Sequence, residues 1–373
     1  MPHPVQPGNT QAQFADAVLE GGGVRGIAHV GALSVAEEKG YRWRNVAGTS
    51  AGAFVAALMA ADYSAGELYT IMSSLDFRRF ARDRGFNWFF LREALNLLTR
   101  CGIHTGSYIE EFMREHLRAK KKSQFGDLIT PGRENEPKDS RFRYRLTVIA
   151  SDITSGCMLR LPQDALQYGI DPDDLNIALA VRMSASIPFF FMPINQQARD
   201  GTNCRIVDGG LLSNFPVSLF DVPGEPRHPT FGFHLVDSLP SSTNPWPVNP
   251  TGNVLQVGKA LLNTMLTAHD RLYMDDHTFV RTIVIPVNGI SGTSFNLSRE
   301  QTDMLYQNGR TAAEQFFSTW DFEAYKIAYR SGLPEKGRRE RLHAEMQRIK
   351  RMTKPMAQAS QEQAYSTSCS DSR

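Results

Sequence analysis

Val46-Ala47-Gly48-Thr49-Ser50-Ala51-Gly52 runs directly into the apolar stretch Ala53–Ala61. The segment reads as a short strand, a sharp turn and a buried helix, with one serine at the turn. Gly-x-Ser-x-Gly in that setting is a nucleophile elbow. Gly48 and Gly52 have a physical purpose: a tight strand-to-helix turn needs positions without Cβ, so that the flanking segments can approach closely. The Ser50 hydroxyl is then held out at the sheet edge, over a helix N-terminus. The pentapeptide alone arises by chance in any long chain. Its meaning depends on whether the rest of the sequence supplies a base and an oxyanion hole.

One strand earlier, Ala15–Leu19 leads into Glu20-Gly21-Gly22-Gly23-Val24-Arg25-Gly26 and then a helix, Ile27–Glu38, ended by Gly40. Ile27, Val30 and Leu33 fall near helical spacing. This strand–helix–strand–helix opening implies parallel strands joined by a right-handed crossover. Gly21-x-Gly23-x-x-Gly26 matches a dinucleotide fingerprint in form. That fingerprint calls for an acidic residue at the end of the next strand, to hold a ribose. The next strand ends in Gly48-Thr49-Ser50 instead. The loop reads better as an oxyanion hole: successive glycines at a helix N-terminus turn bare N–H groups into one concavity. A purely structural glycine turn is the plainer alternative.

Further on, Tyr144–Ala150 is a buried strand, Ser151–Gly156 a turn and Cys157–Leu161 its hairpin partner. Asn176–Ser184 is a short helix ending at Ser186-Ile187-Pro188, and Phe189–Pro193 is an apolar loop or strand end. Arg205–Val207 is a strand that delivers Asp208-Gly209-Gly210 to its C-terminal end, where open α/β sheets hold their chemistry. Phe231–Val236 and Thr282–Val287 are further strands, and Ser298-x-x-Gln301 is a capping box opening the helix Arg299–Thr319. Asp-Gly-Gly alone is a turn. After a glycine loop and an elbow it becomes a candidate base. A carboxylate is ionised at neutral pH but is a poor base in water; burial beside Phe189–Met192 would raise its pKa and improve the match.

The bulk properties narrow the class. At 373 residues the chain accommodates one large α/β domain with appendages. Hydrophobic content of 41% and charged content of 21% are those of a soluble globular protein. A net charge of +2 argues against bulk nucleic-acid binding. Cys101, Cys157, Cys204 and Cys369 show no zinc-like or redox spacing and read as free thiols in a reducing compartment. No metal cluster or cofactor motif is evident. Met1–Thr10 carries no charged-then-apolar signal, and no apolar run reaches membrane-spanning length. The expected location is the cytoplasm with peripheral membrane association; export by a route without an apolar leader stays open.

The domain reading has four parts: a disordered N-terminus (1–13), a main domain (14–320), a helical extension (321–354) and a disordered tail (355–373). Within the main domain, residues 62–122 read as a mostly helical cap or lid. Its stretch 77–98 combines aromatics with Arg78, Arg79, Arg82, Arg84 and Arg92, which suits either a lipid interface or a cap packed on the core. Residues 335–351 read as a basic amphipathic helix. Both could gate or dock the site, under a small molecule, a protein partner or self-association into a homo-oligomer.

The order of glycine loop (Gly21–Gly26), Gly48-Thr49-Ser50-Ala51-Gly52 and Asp208-Gly209-Gly210 resembles the patatin-like phospholipase family of bacterial type. Ala180-Val181-Arg182-Met183-Ser184-Ala185-Ser186-Ile187-Pro188 extends the resemblance, as does Asn308-Gly309-Arg310-Thr311-Ala312-Ala313; together they cover roughly residues 14–320. The resemblance implies a three-layer α/β/α fold with a mostly parallel central sheet, an inserted helical region, and hydrolysis of fatty acyl esters of phospholipids at a membrane surface. It implies Ser50 as nucleophile, Asp208 as base and Gly21, Gly22, Gly23 and Val24 as the oxyanion-hole loop. Arg25 would brace that loop or meet phosphate, with Gly26, Gly48, Gly52, Gly209 and Gly210 in support. Two other readings compete. One is a Ser–His–Asp esterase using His234, His269 or His277. The other is a non-enzymatic lipid- or partner-binding protein with a dead site.

Overall fold

The structure, a computed structural model, describes residues 13–76, 78–79, 101–222, 224–237, 276–292, 294 and 296–330, with Gly252, Gln256 and Ala260. The chain divides into two units. One holds the described residues up to Asp221 and from His228 to Trp320; the other holds Val222–Arg227 and the segment from Asp321 onward.

The first unit opens as a parallel β-α-β pair. β1 (Gln13–Leu19) leads through a 3₁₀ turn at Gly23–Gly26 into α1 (Ile27–Glu38), and β2 (Tyr41–Thr49) leads into α2 (Ala51–Ala60). Then come α3 (Ala65–Ser74), β3 (Gly102–His104), α4 (Ser107–Ala119), β4 (Leu146–Asp152) and β5 (Cys157–Leu161). The remainder is α5 (Ile177–Ser184), β6 (Phe189–Phe191), β7 (Ile194–Gln197), β8 (Asn203–Asp208), β9 (Thr230–Val236), β10 (Thr282–Pro286) and α6 (Arg299–Thr319). Among the described residues the main sheet has eight strands, in the order β10-β9-β1-β2-β4-β8-β7, with β5 also on β4. Strands β10, β9, β1, β2 and β4 are mutually parallel; β5 and β8 run against β4, and β7 runs against β8.

Alternation along the strands sorts side chains to the two faces. Ala15, Ala17 and Leu19 of β1 join the large core beneath α1, α2 and α6. Val18 and Ala47 face the other way, against Phe142, Phe215, Leu219 and Phe220. Helix α2 is buried from Gly52 to Ala60, which explains its apolar composition all round. Helices α1 and α6 cross at glycines: a Cβ on Gly309 would lie 2.0 Å from the Ala28 carbonyl oxygen. Arg310 closes that seam with hydrogen bonds to Ser34 Oγ (2.8 Å) and Glu38 (2.7 Å). The capping box of α6 forms as its sequence demands, Ser298 accepting from Gln301 N.

Three features depart from the sequence reading. Ser151 and Asp152 continue β4 instead of starting the turn, because β5 and β8 both pair with them. Residues 62–122 contain α3 and α4 as expected, but also β3, which pairs in parallel with β6 as a separate two-stranded sheet. Strand β7, Ile-Asn-Gln-Gln, is too polar to have been read as a strand. The stretch 77–98, apart from Arg78 and Arg79, the connection 238–251, the helix 335–351 and the terminal tails lie outside the described residues.

In the second unit, α7 (Phe322–Tyr329) is capped by Asp321, which accepts from Ala324 N at 3.0 Å.

Candidate active site

The site begins with register. Val148 and Ile149 pair with β2 on one side and with β5 on the other; Ala150, Ser151 and Asp152 pair with β5 and with β8. A strand has two edges, so β2 and β8 occupy the same edge of β4. They approach each other head to head. Strand β2 ends with Thr49 opposite Ile149, and β8 ends with Asp208 opposite Ala150. Ser50 and Asp208 therefore meet at the junction. The expectation that Asp208 ends a strand holds, but β8 runs antiparallel to β4 and reaches the junction from the opposite direction, which apolar periodicity does not encode.

Ser50 has φ 52° and ψ −119°. A serine with positive φ is strained and persists only where surrounding contacts over-determine it. Those contacts are here: its N–H donates to Ser184 Oγ at 2.8 Å, and Ser184 Oγ donates to the Ile149 carbonyl at 2.5 Å. The elbow glycines are required by close approach. A Cβ on Gly48 would stand 2.3 Å from Gly52 backbone atoms, and one on Gly52 would stand 2.3 Å from the Leu19 carbonyl oxygen. Gly209, just after Asp208, passes equally close to the Ile149 carbonyl.

Asp208 is 2% exposed. Its Oδ1 accepts from Gly210 N at 2.8 Å. Its Oδ2 is buried with no partner of regular hydrogen-bond geometry. Burial pushes its pKa up to about 6, offset in part by the neighbouring Ser50 hydroxyl and by Gly210 N–H. Ser50 and Asp208 thus lie close enough for the hydroxyl to hold the carboxyl's pKa down, yet short of a regular hydrogen bond. The Asp208 backbone is itself held, its N–H donating to the Ser186 carbonyl at 2.9 Å.

The glycine loop follows β1, whose Leu19 lies beside Gly48. Gly21 N–H donates to the Asn214 carbonyl (3.2 Å) and Val24 N–H to the Gly292 carbonyl (2.9 Å). Among the described residues, Gly22 and Gly23 keep their N–H groups out of hydrogen bonds. Arg25 donates from Nε to the Gly22 carbonyl at 3.0 Å and pairs with Asp237 at 3.2 Å.

Ser50 opens on an apolar cleft of about 60 Å³ that is continuous with solvent. Its walls include Val24, Phe54, Met72, Leu75, Ile109 and Ile187. Asp208 lies behind Ser50 and does not line it. No histidine lines it among the described residues. His234 Nδ1 lies 2.7 Å from Glu20 and its ring stacks on Phe215. His277 lies 3.8 Å from Asp221, and His269 is outside the described residues.

Sequence reasoning missed four positions. Glu20 is buried and gathers Asn214 Nδ2 (3.0 Å), Leu235 N and His234 beneath the glycine loop. Its carbonyl sits 2.9 Å from Nε2 of His29, a ring that burial keeps neutral, with its pKa lowered to about 4. Ser184 holds the elbow. Arg182, 1% exposed, donates to the carbonyls of Thr105 and Met192 (2.8 Å to the latter) and to Ser186 Oγ. Arg182 and Ser184 stood in the stretch that carried the family resemblance, without roles. A buried cation among apolar residues was the available signal.

A family model described as patatin-like phospholipase matches residues 17–221. A Bacillus subtilis protein described as uncharacterized protein YqhO is 36% identical over 311 residues, spanning 83% of this chain and all of that one. Lysophospholipase nte1 of Aspergillus fumigatus is 41% identical over 111 residues, 30% of this chain and 7% of that protein. Among solved structures, VipD from Legionella pneumophila superposes with a TM-score of 0.50 at 16% identity, covering 92% of this chain and 77% of that one; this likeness is one of fold. With the mostly parallel α/β sheet and the match across more than half its length, the chain belongs to the patatin-like phospholipase family, a family of lipid hydrolases.

Proposed function

We propose that the chain hydrolyses fatty acyl esters of phospholipids or lysophospholipids through a Ser50–Asp208 dyad and an acyl-enzyme. The single observation that carries this reading is Ser50, strained and pinned on the wall of an apolar cleft, with a carboxylate of raised pKa directly behind it. The acyl chain occupies the cleft, where burial of methylenes supplies binding at about 0.8 kcal/mol each. Asp208 takes the Ser50 proton as Oγ attacks the ester carbonyl. The tetrahedral oxyanion receives the N–H groups of Gly22 and Gly23, since Gly21 and Val24 donate elsewhere. One such donor is typically worth about 3 kcal/mol. The intermediate collapses, the C–O bond to the alcohol breaks and Asp208 returns its proton to the leaving oxygen. Water attacks the acyl-enzyme by the same route, freeing the fatty acid and restoring Ser50–OH.

The names of the relatives point the same way: one is a lysophospholipase, and a protein of Invertebrate iridescent virus 6 that is 25% identical over 207 residues is named a probable lipid hydrolase. A Ser–His–Asp triad gains no support, because His234 and His277 sit against Glu20 and Asp221. No helix among the described residues is long and apolar enough to cross a membrane, and the substrate is reached peripherally. The test is mass spectrometry of lipids after incubation with mixed phospholipids. Wild type releases fatty acid and lysophospholipid and Ser50→Ala releases none; equal release by both would overturn the reading.

A further inference from the structure

Phe189 bears two costs at once. Its φ is 66°, a backbone conformation that is a genuine outlier for a bulky residue. Its side chain is 56% exposed and makes no ring contact among the described residues. Its near neighbours Ile187 and Phe191 are walls of the apolar cleft that holds Ser50. A strained backbone therefore holds an aromatic ring out in solvent beside the cleft mouth. Folding alone gains nothing from that arrangement.

The surroundings extend it. Phe189 pairs in register with Gly102. The neighbouring Cys101 receives the exposed guanidinium of Arg205 at 3.0 Å, and the Arg205 carbonyl accepts from Ile153 N at 3.0 Å. Ile153 follows directly on β4, at the catalytic edge of the sheet, and is 47% exposed. An aromatic ring, a cation and an aliphatic side chain are thus linked along one edge, next to a cleft that takes acyl chains. Exposed apolar groups combined with a cation match the acyl boundary and the anionic headgroups of a bilayer.

We propose that Phe189 and Ile153, with Arg205 between them, form the surface on which the chain rests against a phospholipid bilayer, the cleft mouth facing the lipid. This rests on the lipid-hydrolase reading above and adds how substrate is met: an acyl chain passes from the bilayer to Ser50 without crossing water.

The experiment measures co-sedimentation with phosphatidylcholine vesicles, with and without phosphatidylglycerol, alongside turnover of a soluble short-chain ester. Phe189→Gly suits the test because glycine adopts φ 66° freely, so the variant folds at least as well as wild type. Phe189→Gly lowers vesicle partition about tenfold, the worth of one phenylalanine moved into an apolar phase. Ile153→Ser lowers it less, and Arg205→Gln removes the preference for phosphatidylglycerol. Soluble-ester turnover stays at the wild-type level in all three. Ser50→Ala binds vesicles like wild type and hydrolyses nothing; hydrolysis by Ser50→Ala would sink the dyad while leaving the partition result standing. The proposal is overturned if wild type does not bind vesicles, if Phe189→Gly binds as wild type does, or if Phe189→Gly instead dissociates a dimer.

Discussion

Ser184 holds Ser50 by its backbone: the Ser50 N–H donates to Ser184 Oγ at 2.8 Å, and that hydroxyl in turn donates a hydrogen bond to the Ile149 carbonyl at 2.5 Å. All three groups are buried. The elbow is thus fastened to β4 at the point where β2 ends.

Ser184→Ala removes the acceptor and leaves a buried N–H unpaired beside a strained residue. Stability falls by about 1–3 kcal/mol, seen as a lower midpoint in denaturant, and kcat falls with little change in KM. Unchanged kcat in a folded Ser184→Ala protein would show that the elbow holds its geometry without this bond.

Asp208 has its pKa raised from 3.8 to about 6. The folded chain binds this proton more tightly than the unfolded chain. The group therefore contributes its full stability below about pH 4 and loses it as pH rises through about 6. Asp208→Asn escapes that loss. It unfolds later than wild type at pH 8, by up to about 3 kcal/mol, and the gap closes towards pH 4. On the proposed dyad the base must be ionised, so kcat/KM is expected to climb with pH through an apparent pKa near 6. Thermal melts and a pH–rate profile check both.

Arg182 ties three segments together through Thr105, Ser186 and Met192, and Ser186 in turn holds Asp208. Arg182→Met removes the charged donor from the Thr105 and Met192 carbonyls, at about 1.5–3 kcal/mol per hydrogen bond lost, and lets Asp208 shift. A melting point lowered by several degrees and a kcat reduced at least tenfold are expected. Arg182→Lys recovers part of the stability and less of the rate, since an ammonium cannot reproduce the guanidinium fork.

Gly309→Ala would place a Cβ 2.0 Å from the Ala28 carbonyl oxygen and force α1 from α6. Overpacking of this kind costs about 1–3 kcal/mol. Calorimetry should show that loss, with turnover by the remaining folded protein close to wild type.

Much of this arrangement was readable in the residues. Helix α1 runs from Ile27 to Glu38 as its spacing requires, and α6 starts where the Ser298–Gln301 box puts it. The elbow glycines announced a turn with no room for Cβ, and a Cβ on either would stand 2.3 Å from backbone atoms. What stayed hidden depends on contacts between segments distant in sequence. The antiparallel course of β8 leaves no trace in its apolar pattern. Strands β3 and β6 have three residues each, too few for any periodicity. The burial of Glu20 follows from Asn214 and His234, roughly two hundred positions on. The division of the glycine loop into committed and free N–H groups follows from Asn214 and Gly292.

The central claim is that Asp208, and no histidine, takes the proton from Ser50. Intact-mass spectrometry of the protein during labelling with a fluorophosphonate follows that step at the serine itself. Wild type should gain one adduct on Ser50. Asp208→Asn should be labelled about 10²–10⁴ times more slowly, while the Ala variants at His234, His269 and His277 stay near the wild-type rate. Labelling of Asp208→Asn at the wild-type rate, or abolition of labelling in a folded variant at one of those histidines, would contradict the account.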